Sequence, residues 1–323
     1  MIVTLTANPS LDRTVELPGR LERGAVLRAT ASTATPAGKG VNVSLALHRF
    51  GGDTVAVLPG RASEPLVAAL VAARVPVEPV AIEGALRSNL TLTEADGTTT
   101  KVNEPGPLLS GEEWERLAAA VLAHARTGAW VALCGSLPPG VPLDAYAGLA
   151  RAVSALGARV AVDTSGAAAS ATVGEAPVDL VKPNAEELVE LTGDRHDPAA
   201  VEADPLLAAE LAGRLLRRDV GAVLCTLGSA GALLVTQAGA WHAPAPVIQP
   251  RSTVGAGDSA LAGYLLADTR GAQADERLRR AVAHGAAAAA LPGSEMPAPA
   301  DVHDLLPLVS VTSLPLTGIA AGH

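Results

Sequence analysis

The chain has 323 residues, of which 49% are hydrophobic and only 18% charged, enough for one sizeable core or a core with a small lid. Its net charge of −9 argues against a nucleic-acid surface, so an anionic ligand has to be held by a local basic cluster. No apolar run reaches the ~18 residues of a membrane span, because Gly, Pro, Arg or Asp interrupts each one, and no membrane partner is expected.

From the N-terminus, Met1-Ile-Val-Thr-Leu-Thr-Ala7 has no basic region ahead of its apolar residues, so it reads as a first strand and not as a secretion signal. Apolar β-branched runs then alternate with longer amphipathic stretches: Gly128–Gly135 before Pro142–Leu156, then Ala158–Asp163, Val178–Val181 before Ala185–Leu191, and Gly221–Leu227. This is the alternation of a mostly parallel sheet covered by helices on both faces, a three-layer α/β/α domain over 1–310. Two stretches break it. Residues 11–35, and the pair Arg87–Glu94 and Thr98–Asn103 around Asp96-Gly97, are Thr-rich and polar on both faces. They predict antiparallel strands outside the core, the second pair joined by a hairpin turn. A small sheet over the C-terminal edge of the main one, where open α/β sheets bind their ligands, accommodates both, with lid strands from about 11–35 and 86–104. Cys134 and Cys225 sit in apolar strand-like runs without metal-ligand spacing and predict buried thiols in a reducing, cytoplasmic setting. The end of the chain, 311–323, has no helical period and predicts a loosely ordered tail.

The chemistry concentrates in Ser252-Thr-Val-Gly255-Ala256-Gly257-Asp258-Ser-Ala-Leu-Ala-Gly-Tyr264, where a glycine-rich turn opens an apolar helical pattern. Gly255 and Gly257 allow positive φ and close approach of a ligand, and the unpaired N–H groups of the first helical turn attract an anion. Asp258 at that start is an ionised carboxylate favoured by the helix dipole. An ordinary helix N-cap after a glycine turn is the plainer alternative. Upstream, Asp179-Leu-Val-Lys182-Pro-Asn184-Ala-Glu-Glu187 ends an apolar run and opens a second helix. Asn184 and Glu187 share one face of its first turn and offer hard oxygen ligands for Mg²⁺, directly or through water. A capping box made by the same two residues fits equally well. Only three of the 24 basic residues are lysines, and Lys39 and Lys182 both fall in such segments, which suggests that a compact ammonium is wanted there.

Gly255-x-Gly257-x-x-Ala260 formally fits a dinucleotide fingerprint, but no strand precedes it and no acid follows at the end of a next strand. No Gly-x-x-x-x-Gly-Lys-Ser/Thr occurs, which excludes a P-loop.

These segments resemble the ribokinase-like PfkB carbohydrate kinases, from Thr6 to about Leu306. Thr6-Ala-Asn8-Pro9-Ser-Leu-Asp12 is similar to the family's opening sugar-binding strand, Pro36-Ala-Gly38-Lys39-Gly40-Val-Asn42-Val-Ser44 to its first glycine signature, and the segment around Asp258 to its second. Ala37 stands where the first signature usually has another glycine. Arg87-Ser-Asn89, Val102-Asn103-Glu-Pro105-Gly106-Pro107 and Gly135-Ser136-Leu-Pro138-Pro139-Gly140 point within the family to phosphosugar kinases.

The resemblance implies a ribokinase-like fold with a β-sheet lid. It also implies ATP and Mg²⁺, and transfer of phosphate to a ketohexose monophosphate, fructose 1-phosphate first, with tagatose 6-phosphate and fructose 6-phosphate as alternatives. Asp258 would be the base, with the amides of Gly255, Ala256 and Gly257 as anion hole. Asp12, Gly38 and Asn42 would bind the sugar, and Lys39, Arg87, Arg28 and Ser136 its phosphate. Lys182, Asn184, Thr226, Gly228, Ser252, Gly255 and Gly257 would serve the nucleotide, with Asn184 and Glu187 also near the metal. A homodimer formed through the lid is implied as well. A non-catalytic sugar-phosphate sensor on the same fold is disfavoured by the presence of Asp258.

Overall fold

A computed structural model describes residues 1–315. Its strands are, in chain order, β1 (Ile2–Thr6), β2 (Ser10–Glu16), β3 (Ala31–Ala37), β4 (Thr54–Pro59), β5 (Val77–Val80), β6 (Arg87–Thr93), β7 (Thr99–Val102), β8 (Trp130–Cys134), β9 (Arg159–Asp163), β10 (Leu180–Val181), β11 (Ala222–Thr226), β12 (Ala232–Thr236), β13 (Gly239–Ala243) and β14 (Thr312–Leu314). Ten form one sheet in the order β14-β13-β12-β11-β10-β9-β8-β1-β4-β5, and four form a second in the order β3-β2-β6-β7.

In the large sheet β1 is central and pairs in parallel with β4 and β8, Val3 facing Val55 on one side and Val131 on the other. Helices cover both faces, so every residue of β1, β4 and β8 is buried and their sequences are mostly apolar, with Thr4, Thr6 and Thr54 the buried exceptions. Val3, Leu5, Val131 and Leu133 pack to one side, while Ile2, Trp130 and Ala132 pack to the other with Leu261, Tyr264 and Leu265 of the helix Ala256–Thr269. The family's three-layer ribokinase-like α/β architecture is therefore present, with a mostly parallel sheet that turns antiparallel from β11 through β14. Among the described residues no helix is long and apolar enough to cross a membrane. Cys134 and Cys225 are buried free thiols, and burial pushes Cys225 up to about 12.

Two local expectations change. Thr312–Leu314 is not loose: it is the edge strand β14, paired antiparallel with β13, while 316–323 lies outside the described residues. In the small sheet β2–β3 and β6–β7 are antiparallel as expected, but β2 and β6 run parallel, Ser10 facing Arg87. Each of them leaves the large sheet at its C-terminal edge and heads outward, so the two must run in the same direction.

Candidate active site

The chain runs outward from β1 to β4 and β5 and then crosses back to β8 on the other side, so the order reverses at β1 and a crevice opens at the strands' C-terminal ends. The small sheet rises over that edge. Asp258 enters the crevice from the first turn of the helix Ala256–Thr269. Gly255 is the residue before that helix and has φ +79°, the left-handed region that a side chain would strain, and a Cβ there would lie 2.8 Å from Met296 Cε. Gly257 does not have positive φ. It sits inside the helical turn, and its constraint is space, since a Cβ would lie 3.3 Å from Lys182 Nζ. Among the described residues the amides of Gly255 and Gly257 have no acceptor, and that of Ala256 reaches Thr253 O only at 3.4 Å. Free donors at a helix start are an anion site.

Asp258 is 8% exposed, and Asn42 Nδ2 donates to its Oδ2 at 2.7 Å across 216 residues of chain. Burial and the nearby charge of Asp163 push its carboxyl up to about 6, against the Asn42 hydrogen bond and the charges of Lys182 and Lys39. Such a carboxylate can take up a proton near neutral pH.

Beside it lies an ion cluster that the motifs do not reveal. Asp163, the last residue of β9, is fully buried between Lys39 Nζ at 2.7 Å from Oδ1 and Lys182 Nζ at 3.3 Å from Oδ2. The second contact is an ion pair without hydrogen-bond geometry. Burial works against ionising Asp163, but Lys182 and Lys39 outweigh it and hold the carboxyl below its ordinary range. Burial likewise opposes the Lys39 ammonium, yet Asp163 and Glu187 hold it above the ordinary lysine range. Asp163 was not singled out from sequence. Its available signal was a carboxylate closing the buried run Val160-Ala-Val at the ligand-facing end of a strand.

Asn184 and Glu187 form the capping box, with Glu187 N donating to Asn184 Oδ1 at 2.8 Å and Asn184 N to Glu187 Oε2 at 2.9 Å. Glu187 Oε1 remains outside the box, 3.6 Å from Lys39 Nζ. Thr226 N donates to Pro183 O at 3.0 Å, which brings the Thr226–Gly228 loop beside Asn184. Ser252 is tied by its backbone to Ala289 and by its Oγ, accepting from Val254 N at 3.2 Å, to the turn before the anion hole.

On the lid side, Asp12 Oδ1 accepts from Asn89 Nδ2 at 2.9 Å and Ser10 Oγ at 2.7 Å, which fixes its direction. Arg87 donates to Asn8 O at 2.9 Å and Glu104 O at 3.1 Å. Burial lowers its pKa against the charges of Asp12 and Glu104, but from a starting value so high that it stays cationic. Asn8 Nδ2 reaches Pro105 O at 3.0 Å and Ser136 Oγ at 3.4 Å. Buried Oδ1 atoms of Asn8, Asn42 and Asn89, and Thr6 Oγ1, have no partner within the described residues. Buried acceptors left open in a crevice match the hydroxyl donors of a sugar. Gly38 has φ +129°, and a Cβ on it would lie 2.7 Å from Thr6 Cγ2, so the Gly38–Lys39 turn packs against the end of β1. Arg28 does not join this group: it is exposed in the connection between β2 and β3.

The sequence profile of the pfkB family carbohydrate kinases matches residues 6–301. The 1-phosphofructokinase of Rhodobacter capsulatus is 36% identical over 318 residues, 97% of this chain and 98% of that protein. The ATP-dependent 6-phosphofructokinase isozyme 2 of Escherichia coli is 35% identical over 301 residues, 91% and 94% of the two. Phosphofructokinase-2 from Escherichia coli in complex with fructose-6-phosphate superposes with a TM-score of 0.85 at 32% identity, covering 95% of this chain and 98% of that one, and its tetrameric inhibited form with 0.86 at 33% over the same shares. The fold, the crevice and these likenesses together place the chain in the pfkB family of carbohydrate kinases, enzymes that transfer a phosphoryl group to a hydroxyl.

Proposed function

We propose that the enzyme transfers the γ-phosphoryl group of ATP to the C6 hydroxyl of fructose 1-phosphate, yielding fructose 1,6-bisphosphate and ADP. The observation that carries this reading is a buried carboxylate, raised to about 6, in the same turn as unpartnered amides. Asp258 accepts the hydroxyl proton as the new O–P bond forms and the bond to ADP breaks. The amides of Gly255, Ala256 and Gly257 stabilise charge on the transferred oxygens. Asp12, Asn42 and Gly38 orient the sugar. Arg87, Lys39 and Ser136 take its phosphate, without Arg28, which lies exposed outside the crevice. Lys182, Asn184, Thr226, Gly228 and Ser252 line the nucleotide.

Glu187 Oε1, outside the capping box and 3.6 Å from Lys39 Nζ, leaves one carboxylate oxygen for a hydrated divalent ion that the nucleotide brings with it. Mg²⁺ bound there with the nucleotide, near Asn184 and Glu187, would neutralise phosphate charge.

The lid supports a homodimer. The outer strand β3 is exposed from Ala31 to Thr35, as is all of β7, and Val26 and Val102 stand out at 88% and 54% exposure. Light scattering of the purified protein should give twice the chain mass. A cytoplasmic location follows the same reading.

Comparing kcat/KM for fructose 1-phosphate, fructose 6-phosphate and tagatose 6-phosphate tests the substrate. The first should be highest. A preference for fructose 6-phosphate would shift the assignment to the activity named for the Escherichia coli isozyme, and a preference for unphosphorylated fructose would remove the phosphosugar reading.

A further inference from the structure

The helix Ala256–Thr269 has Asp258 at one end, and its other end lines a second cavity. This cavity, about 400 Å³, lies at the N-terminal ends of the large sheet's strands: Trp130 and Arg159 open β8 and β9, and Ala222 opens β11. Ten helical residues, about 15 Å, separate Asp268 from Asp258, so the cavity is no extension of the catalytic crevice.

Its polar walls are ordered before any ligand arrives. Asp268, 4% exposed, holds Arg159 NH1 at 2.6 Å and Arg277 NH1 at 2.8 Å and accepts from Trp130 Nε1 at 2.8 Å. Arg159 lies over the Trp130 ring at 4.2 Å, and Arg277 donates through Nε to Ala272 O at 2.8 Å. Fixing the guanidiniums this way consumes few of their donors. Among the described residues, Arg159 Nε and NH2 and Arg277 NH2 have no acceptor, although the two side chains are 37% and 28% exposed. Guanidinium forks with free, immobilised N–H groups suit carboxylate and phosphate oxygens, and little ordering entropy is left to lose. Gln237, Gln273 and Thr236 add neutral hydrogen-bonding groups on the same walls. Asp179, also on the wall, accepts from Val160 N at 2.8 Å and brings the local charge of the two arginines and two carboxylates to zero. That balance favours a ligand carrying hydroxyl donors for Asp179 besides its anionic group.

We propose that this cavity is a second ligand site, for a small hydroxylated anion, held by the free N–H groups of Arg159 and Arg277.

Calorimetric titration with glycerol 3-phosphate and with malate tests it and separates a phosphate ester from a carboxylate as the anionic group. At least one should bind saturably below about 10 mM. Gln237→Glu, in the exposed turn between β12 and β13, places a negative charge in the cavity without touching Asp268. It should weaken binding at least tenfold with unchanged melting temperature and turnover, and Arg277→Gln should weaken it similarly. Arg87→Ala, which disables the catalytic crevice's phosphate contact, should leave it intact. No saturable binding of either anion overturns the proposal. So does binding that Arg87→Ala abolishes and Gln237→Glu spares.

Discussion

The two sheets are built on opposite terms. Strands β1, β4 and β8 are buried from end to end, whereas β3 and β7 are exposed along nearly their whole length and β6 is half-buried throughout. The large sheet is stabilised by apolar area removed from water on both faces. The small one is tied down by directed polar contacts, Asn89 to Asp12 and Ser10, and Arg87 to Asn8 and Glu104. Side chains committed to a core cannot change partners without leaving a void, but polar groups at a half-exposed edge can exchange a protein partner for a ligand. On the proposed reading, stability belongs to one sheet and substrate selection to the other, with the reacting groups between them.

The largest expected effect falls on the junction. Asp258→Asn keeps the shape and removes the proton acceptor, so kcat should fall by roughly 10²–10⁴ with nucleotide affinity little changed, measured by steady-state kinetics and nucleotide titration. In the unaltered enzyme kcat/KM should fall as pH drops below about 6, because there Asp258 carries the proton it needs to accept, and should level off above. In the large sheet, Leu133→Ala should lower unfolding free energy by about 2–5 kcal/mol in denaturant titration while the folded fraction keeps its KM. The lid should do the reverse. Arg87→Ala removes a proposed charge-assisted contact of about 1.5–3 kcal/mol and should lower kcat/KM for fructose 1-phosphate by about 10–10³-fold, with a smaller loss of stability than Leu133→Ala. Activity on free fructose should hardly move, and an equal loss on both substrates would give Arg87 a general lid-closing role and blur the division. Smallest is Glu187→Gln, which can still close the capping box but loses its charge. The Mg²⁺ concentration for half-maximal activity should rise a few-fold at constant melting temperature. If melting falls and the metal titration stays put, the residue is a cap and nothing more.

What could be read from sequence follows the same division. Buried strands announce themselves as mostly apolar runs, so β1 and the stretch from β8 to β11 were legible, and the glycine turn before Asp258 marked a helix start correctly. Features set by contacts distant in sequence were not. Asp163 meets Lys39 across 124 residues, and no local pattern signals that meeting. Gly257 looked like a second positive-φ position, because sequence shows an absent side chain but not whether it is absent for backbone freedom or for the space Lys182 occupies. The parallel pairing of β2 with β6 and the three-residue β14 escaped for similar reasons: one depends on where the strands depart, and the other is too short to carry a period. The alternation of strands and helices gave fold class, whereas substrate class rested on resemblance in the lid segments and in the Gly135–Gly140 turn after β8.

The strand order also has a consequence for synthesis. From β8 to β14 each new strand is laid beside the one made just before it, outward from β1, which is made earlier. That part of the sheet can thus grow by successive addition without threading or rearranging what has already been laid down. The catalytic crevice cannot grow in that way. Asn42 emerges early and waits 216 residues for Asp258, about 10–40 s at ordinary elongation rates, so a nascent chain holds most of its sheet well before it can hold any activity.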